Sequence, residues 1–160
     1  MENSIILSIL IPAYEYPEGI SRLLHSLHPW NQDECEVIIS DDSVSVNIVN
    51  EVSNFIKSTG SNIELIPHKS SYSAANNWNN LINNANGEYL IIMHHDEFPY
   101  EKNFTQSVIS KIFYSGNLQV GVMNLILLDD KRKWSALHFP AKLKVWIVKN
   151  IPKYIFYRNV

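Results

Sequence analysis

The sequence contains a single cysteine, Cys35, which excludes an internal disulfide bond and is typical of a reducing compartment. No apolar run approaches the ~20 residues that a membrane-spanning helix needs. The N-terminal segment carries an acidic residue, Glu2, and no basic cluster, so it does not resemble a secretory signal peptide. These absences predict a cytoplasmic protein that is soluble or, at most, associated with a membrane surface.

Glycine is scarce, with five residues in the chain, and none of them forms a phosphate-binding loop. Dinucleotide-binding folds need a glycine-rich turn after the first strand. The corresponding turn here is Pro12–Glu15, and the next glycine is Gly19. The GxxxxGK[ST] phosphate loop is missing as well. A nicotinamide-dependent oxidoreductase is therefore disfavoured.

Short apolar runs alternate with segments of helical periodicity along the 160 residues. This alternation predicts one α/β domain with a mostly parallel central sheet flanked by helices. We expect Gly87 to terminate the third helix and Trp78 to face the core from it. The predicted strands span residues 5–11, 36–40, 63–66, 89–93 and about 120–128, and the predicted helices start near residues 17, 45, 73 and 101.

Polar residues follow three of the predicted strands at the point where each strand ends. Tyr14 and Glu15 follow the first strand, Asp41 and Asp42 follow the second, and residues 94–97 (HHDE) follow the fourth. Ligands of open α/β sheets bind outside the carboxyl ends of the strands. We therefore expect these side chains to converge on one site.

A divalent cation held by carboxylates is another way to bind a diphosphate, because it bridges the phosphate oxygens. Asp96 and Glu97 suit such an ion, and an imidazole of His94 or His95 would suit Mn²⁺. The alternative interpretation is that residues 94–97 form a solvated loop. For the acidic pair after the second strand, the alternative is that Asp42 or Ser43 caps the next helix.

Four segments in this order resemble family 2 glycosyltransferases. They are SILIPAYE (8–15), VIISDDS (37–43), AANNWNNLINNANGEYLI (74–91) and HHDE (94–97). The resemblance covers about the first 100 residues. It implies a GT-A fold, which is a Rossmann-like α/β layer that binds a nucleotide-diphosphate sugar. The stretch from NWN to GEY is most similar to bacterial members that build surface polysaccharides.

The resemblance also implies which residues bind the donor. The first-strand motif lies against the nucleotide base in this family, one acid of the pair after the second strand contacts the base, and the last aspartate of the DxD motif binds the metal. By position, the implied nucleotide-sugar-binding residues are Pro12, Ala13, Tyr14, Glu15, Asp41, Asp42, His94, His95 and Asp96, of which Asp96 is the metal ligand.

Three positions depart from the family pattern. His94 stands where the first aspartate of the DxD motif is expected, and Glu15 stands where asparagine is common. Trp78 stands where many members carry an arginine near the phosphates, although an aromatic residue in an amphipathic helix is typical of a core position. The departure at His94 favours the alternative function, a non-catalytic nucleotide-binding or scaffold fragment of the same fold.

The implied chemistry is metal-dependent transfer of a hexose-like sugar from a UDP-sugar to a hydroxyl of a glycan or lipid-linked acceptor. Mn²⁺ or Mg²⁺ offsets the charge of the leaving diphosphate, and a carboxylate base deprotonates the acceptor. In this family the base follows the DxD segment. The only acids after Glu101 are Asp129 and Asp130, which we interpret as solvated loop residues. We therefore expect the base to lie beyond the end of the chain, which is shorter than most family members.

The charges are divided unevenly between two segments. Residues 131–160 hold eight of the 13 basic residues and none of the 16 acidic ones. We therefore predict a nucleotide-sugar-binding domain over residues 1–130 and a basic, aromatic segment over 131–160 that leads to an acceptor-binding part. Residues 140–157 either pack against that part or contact the inner face of the cell membrane. Nucleic-acid binding is disfavoured, because the acidic remainder would repel phosphates.

Overall fold

The computed structural model describes residues 5–67, 73–99 and 101–115. The predicted strand at 120–128 and the basic segment 131–160 lie outside them. The elements, in chain order, are β1 (Leu7–Ala13), α1 (Pro17–Leu27), β2 (Cys35–Asp41), α2 (Asn47–Thr59), β3 (Glu64–Pro67), α3 (Ala74–Asn84), β4 (Tyr89–Ile92) and α4 (Phe104–Ser115). None of the described helices is long and apolar enough to cross a membrane.

The four strands form one sheet in the order β3-β2-β1-β4, and all three pairs are parallel. The chain adds strands on one side of β1 and then crosses over to place β4 on the other side. This reversal puts a topological switch point between β1 and β4, where ligands of such sheets bind. The predicted parallel, Rossmann-like α/β architecture is confirmed.

Helices cover both faces of the sheet, and β1 is buried along its whole length. On one face, Leu7, Ile9 and Ile11 of β1 belong to the large core that α1 and α2 share with the sheet. On the other face, Leu10 packs with Ile38 and with Leu81 of α3. A strand buried on both faces needs apolar residues at consecutive positions, which explains the nearly continuous apolar run at the start of the sequence, interrupted by Ser8.

Gly87 does not terminate α3, so that prediction was wrong. The helix ends at Asn84, and its cap residue Ala85 is extended. Gly87 instead lies against β1, where a Cβ atom would be 2.5 Å from the hydroxyl oxygen of Ser8 and 2.9 Å from the backbone carbon of Leu7. The glycine is needed for this close approach of two backbones.

A hydrogen-bond network on β1 and β2 fixes the entry to β4. Ser8 donates to the carboxylate of Glu36 at 2.5 Å, and the backbone N–H of Asn86 donates to the same oxygen at 2.7 Å. The N–H of Gly87 donates to the Ser8 hydroxyl at 2.8 Å. Partial burial alone would raise the pKa of Glu36, but the hydrogen bonds from Ser8, Asn86 and Gly87 outweigh it and lower the pKa.

Candidate functional site

The residues that follow β1, β2 and β4 are adjacent at the carboxyl edge of the sheet. The N–H of Asp42 donates to the carbonyl of Ala13 at 3.0 Å, which joins the ends of β2 and β1. Nδ1 of His95 lies 3.3 Å from the carbonyl oxygen of Pro12, which joins the loop after β4 to the end of β1. The predicted convergence of the strand-end residues is thus observed. Tyr14 lies at this edge with 54% of its surface exposed.

Glu15 holds the loop after β1 against the loop after β2. Its carboxylate accepts hydrogen bonds from the backbone N–H groups of Val44 and Ser45, at 2.8 and 3.2 Å, and from the Ser45 hydroxyl at 2.9 Å. The hydroxyl of Ser43 accepts from the N–H of Glu15 at 2.7 Å. The Ser45 hydroxyl, followed by the two backbone donors, lowers the pKa of Glu15. Glu15 also has a positive φ of 44°, a conformation that side-chain-bearing residues seldom adopt.

Asp41 and Asp42 are buried at the end of β2, with 2% and 6% of their surfaces exposed. Asp41 accepts a hydrogen bond from the N–H of Ser43 at 3.0 Å, which closes a local turn. The next helix begins later, after Val46, and its cap makes no side-chain hydrogen bond. The alternative that Asp42 or Ser43 caps this helix is therefore wrong. The acidic pair is a fixed part of the carboxyl edge.

The segment after β4 is a closed turn that carries Asp96. The N–H of His94 donates to the Glu97 carboxylate at 2.9 Å, and the N–H of Glu97 donates to the His94 carbonyl at 2.9 Å. These reciprocal bonds engage Glu97 and leave Asp96 as an exposed carboxylate beside the switch point. The sequence indicated the cluster, but it did not indicate that its two acids have different surroundings.

The α1 side of this turn is held by Tyr16 and by close packing at Gly19. The rings of Tyr16 and His95 meet edge to face at 5.6 Å between centroids. A Cβ atom at Gly19 would be 2.6 Å from the carbonyl oxygen of His95 and 2.3 Å from the Tyr16 ring. Neither residue was among the predicted site residues, because a glycine within a helix gives no sequence signal for what packs against it.

The α3 side of the turn is held by Trp78, which is not a core residue. Its ring lies 5.3 Å from the ring of His94, tilted by 59°, and 37% of its surface is exposed. Asn77 is the buried residue of this helical turn, with 4% exposure, and its Oδ1 atom has no hydrogen-bond partner among the described residues. The prediction that Trp78 faces the core was wrong, because the buried stripe runs through Asn77 and Leu81 and leaves Trp78 on its flank.

The described residues contain no group of three or more His, Cys, Asp or Glu side chains placed to hold a metal ion. This arrangement does not suit a metal centre built from protein ligands alone. A Mg²⁺ or Mn²⁺ ion that takes most of its ligands from a diphosphate and from water needs only one or two protein carboxylates. The exposed Asp96 at the switch point fits an ion that takes most of its ligands from a diphosphate and from water.

A model of the family described as Glycosyl transferase family 2 matches residues 8–154. The chain belongs to glycosyl transferase family 2. The match covers all the described strands and helices apart from Leu7 at the start of β1. No match to a curated protein is found.

Solved structures similar to this family 2 chain include those of TarS from S. aureus. One TarS structure superposes with a TM-score of 0.59 at 19% sequence identity, and it covers 69% of this chain and 20% of TarS. Structures of TarS 1–349 in complex with UDP and with UDP-GlcNAc each give a TM-score of 0.57 at 18% identity, covering 69% of this chain and 32% of theirs. At this level of identity the similarity establishes the fold. The chain spans between a fifth and a third of the length of these neighbours.

Proposed function

We propose that the chain binds a nucleotide-diphosphate sugar, with a UDP-sugar as the expected donor, and that it serves transfer of the sugar to an acceptor hydroxyl. The observation that carries the proposal is the meeting of three strand ends at the β1–β4 switch point, with Asp41, Asp42 and Asp96 on them. Membership in family 2 supports the reaction class. The binding of UDP and UDP-GlcNAc by the TarS neighbours supports the choice of nucleotide.

The charges of the site residues indicate where each part of the donor would lie along the carboxyl edge of the sheet. Asp41 and Asp42 are buried at the end of β2 and would repel a diphosphate, so the neutral base belongs on that side, with one of these acids accepting an N–H of the base. The diphosphate belongs at Asp96, which would hold Mn²⁺ or Mg²⁺. When bound, such an ion offsets the negative charge of the leaving diphosphate.

The remaining predicted residues shape the site. Pro12 and Ala13 lie at the end of the buried strand β1, and the exposed Tyr14 that follows them would contact the base. Glu15 keeps the loops after β1 and β2 together. His94 and His95 anchor the turn that carries Asp96 to α3 and to β1, respectively.

In the transfer step, the acceptor oxygen bonds to the anomeric carbon as the bond from that carbon to the diphosphate breaks, and a base takes the acceptor proton. The described residues supply the donor half of this reaction. We propose a glycan or lipid-linked acceptor of the kind used in bacterial surface-polysaccharide synthesis. The support for this choice is the similarity of residues 77–89 to members with that role.

Calorimetric titration of UDP, GDP and dTDP, with and without Mn²⁺, tests the proposal. We expect one nucleotide, UDP, to bind in a metal-dependent manner and Asp96→Ala to abolish the metal dependence. Asp33→Ala is the matched control, because Asp33 is an exposed aspartate that precedes β2 at the opposite edge of the sheet. Nucleotide binding with the same affinity in the presence and absence of Mn²⁺ would favour the scaffold function. If the folded protein bound none of the three nucleotides, the proposal of a donor site would be wrong.

A further inference from the structure

Asn86 and Gly87 lie in the connection between α3 and β4, and they are the only Asn-Gly pair in the sequence. Asn86 is exposed to solvent. An asparagine that precedes glycine is prone to deamidation, because glycine has no side chain to keep its backbone nitrogen away from the asparagine amide. The pair precedes β4, at the sheet edge opposite the candidate donor site. It is therefore a candidate for a covalent modification that the proposed function does not involve.

Deamidation requires no reactant other than water. The Gly87 nitrogen attacks the side-chain carbonyl carbon of Asn86, and the bond from that carbon to the amide nitrogen breaks. Ammonia leaves, taking up the proton that the Gly87 nitrogen loses, and a five-membered succinimide ring remains. Water then opens the ring at one of its two carbonyl carbons. One opening gives aspartate, and the other gives isoaspartate, in which the backbone runs through the side-chain carbon.

Hydrogen bonds hold both reacting groups in the folded chain. The N–H of Gly87 donates to the buried Ser8 hydroxyl at 2.8 Å. The Asn86 amide nitrogen donates to the Glu36 carboxylate at 3.2 Å and to the Asn84 carbonyl at 3.3 Å. Ring closure has to break these bonds, because the Gly87 nitrogen loses its proton and the amide nitrogen leaves. The backbone at Gly87 also has little room to turn, since a Cβ atom there would lie 2.6 Å from the Ser8 nitrogen.

We propose that Asn86 is a deamidation site that the hydrogen bonds of Ser8 and Glu36 protect in the folded protein. The rate of modification then depends on how often this connection opens, because the open segment reacts like an unfolded chain. The product also weakens the connection. A new carboxylate at position 86 replaces an attraction to Glu36 with a repulsion between like charges. Isoaspartate in addition lengthens the backbone beside Gly87, where the packing against β1 is already close.

Mass spectrometry of the peptide that carries Asn86 measures the rate, after incubation of the full chain at mildly alkaline pH. We expect the folded wild-type protein to deamidate at Asn86 at least about 10-fold more slowly than the same chain unfolded in guanidinium chloride, because several hydrogen bonds have to open first. This comparison does not depend on any variant. Equal rates in the folded and the unfolded protein would overturn the proposal.

Two variants test whether Ser8 and Glu36 cause the protection. Ser8→Ala and Glu36→Ala should each accelerate deamidation of the folded protein by about 10-fold, and neither should change the rate in guanidinium chloride. Glu64→Ala is the matched control and should react like wild type, because Glu64 is an exposed glutamate on β3 of the same sheet. Thermal melting confirms that each variant is folded. Wild-type rates in both folded variants, or an equal acceleration in Glu64→Ala, would contradict the proposal.

The effect of the product is measured with Asn86→Asp. This variant should lower the midpoint of thermal unfolding more than Asn86→Ala, which removes the side-chain donor without adding a charge. The additional loss should disappear when Glu36→Gln is present, because the repulsion needs both carboxylates. If the additional loss is the same with and without Glu36→Gln, the new charge does not act on Glu36 and the proposed effect of the product is wrong.

Discussion

At the residue scale, single side chains hold segments together that are distant in sequence. Glu36 is the clearest case, since its carboxylate accepts from Ser8 on β1 and from Asn86 before β4. The carboxylate remains partly exposed, so its contribution to stability is modest. That contribution requires the carboxylate to be ionised. The hydrogen bonds lower its pKa below the usual 4.5 despite the opposing effect of burial.

We expect Glu36→Gln to reduce the acid sensitivity of the protein. A carboxyl group with a lowered pKa in the folded state contributes stability that is present above its unfolded pKa and is lost as the pH falls through its folded pKa. The affected window therefore starts near pH 4.5 and extends below it. Urea unfolding at pH 7 and at pH 3.5 should show a smaller difference for Glu36→Gln than for wild type. An equal difference would mean that other carboxylates account for the acid sensitivity.

We expect Gly19→Ala to disturb the site as well as the fold. The new methyl group would meet the Tyr16 ring and the His95 carbonyl oxygen, and relieving this overlap should cost about 1–3 kcal/mol. The movement would displace the turn that carries Asp96, so metal-dependent nucleotide binding should weaken beyond the loss of stability. Thermal melting and calorimetry measure the two effects.

Gly60→Ala is the control for this substitution. A Cβ atom at Gly60 meets nothing within 4 Å, although its φ of 70° strains any side-chain-bearing residue. Gly60→Ala should therefore lower stability by about 1 kcal/mol without changing nucleotide affinity. If both variants change affinity equally, the close approach at Gly19 has no special role in the site.

At the element scale, the two faces of the sheet differ in how much apolar surface supports them. Among the described residues, the face covered by α1 and α2 shares a core of 18 buried residues. In the same part of the chain, the face covered by α3 has a cluster of three, which are Leu10, Ile38 and Leu81. Since local opening is easiest where few buried contacts resist it, α3 should be the less stable layer.

Native-state hydrogen exchange should show this difference. We expect amides of α3 to exchange through openings that require less free energy than those of α1 and α2. Leu81→Ala should cost about 2–5 kcal/mol, because this fully buried side chain is the main apolar contact of α3 with the sheet. The variant should accelerate exchange in α3 far more than in α1. Uniform acceleration across all helices would show that the two layers open together.

Helix α3 also shows which features of the fold can be predicted from the sequence and which cannot. The apolar runs and strand-end acids were sufficient to predict a parallel sheet with Asp41, Asp42 and residues 94–97 at one edge, because chain order and handedness constrain such folds strongly. The orientation of Trp78 was not predictable in the same way. It sits on the border of the buried stripe, and its exposure depends on how α3 rotates against β1 and β2.

The packing of Gly87 against β1 and the contacts of Glu15 with the loop after β2 were not predicted, for a related reason. Both roles depend on contacts between segments far apart in sequence: Gly87 with Ser8, and Glu15 with Ser45. Local sequence patterns indicate the role of a residue within its own helix, strand or loop. They do not indicate which backbone or side chain from a distant part of the sequence packs against it. The residues that hold a site together are therefore harder to predict from sequence than those at its centre.

At the scale of the whole molecule, the chain combines a strongly acidic part with a basic end. All 16 acidic residues precede residue 131, and eight basic residues follow residue 130. The described part of the acidic segment carries the candidate donor site. The division into a donor-binding segment over 1–130 and a basic segment over 131–160 stays a prediction, because the second segment lies outside the described residues.

Vesicle binding distinguishes the two interpretations of residues 140–157. A lysine near an anionic surface contributes about 1 kcal/mol, so a segment that contacts the membrane would lose about fivefold in affinity for each lysine neutralised. We favour packing against protein, and we therefore expect replacement of Lys142, Lys144 and Lys149 by glutamine to leave co-sedimentation with phosphatidylserine vesicles unchanged. The neutral vesicle of phosphatidylcholine is the control. A steep loss confined to the anionic vesicles would instead show that this segment contacts the membrane.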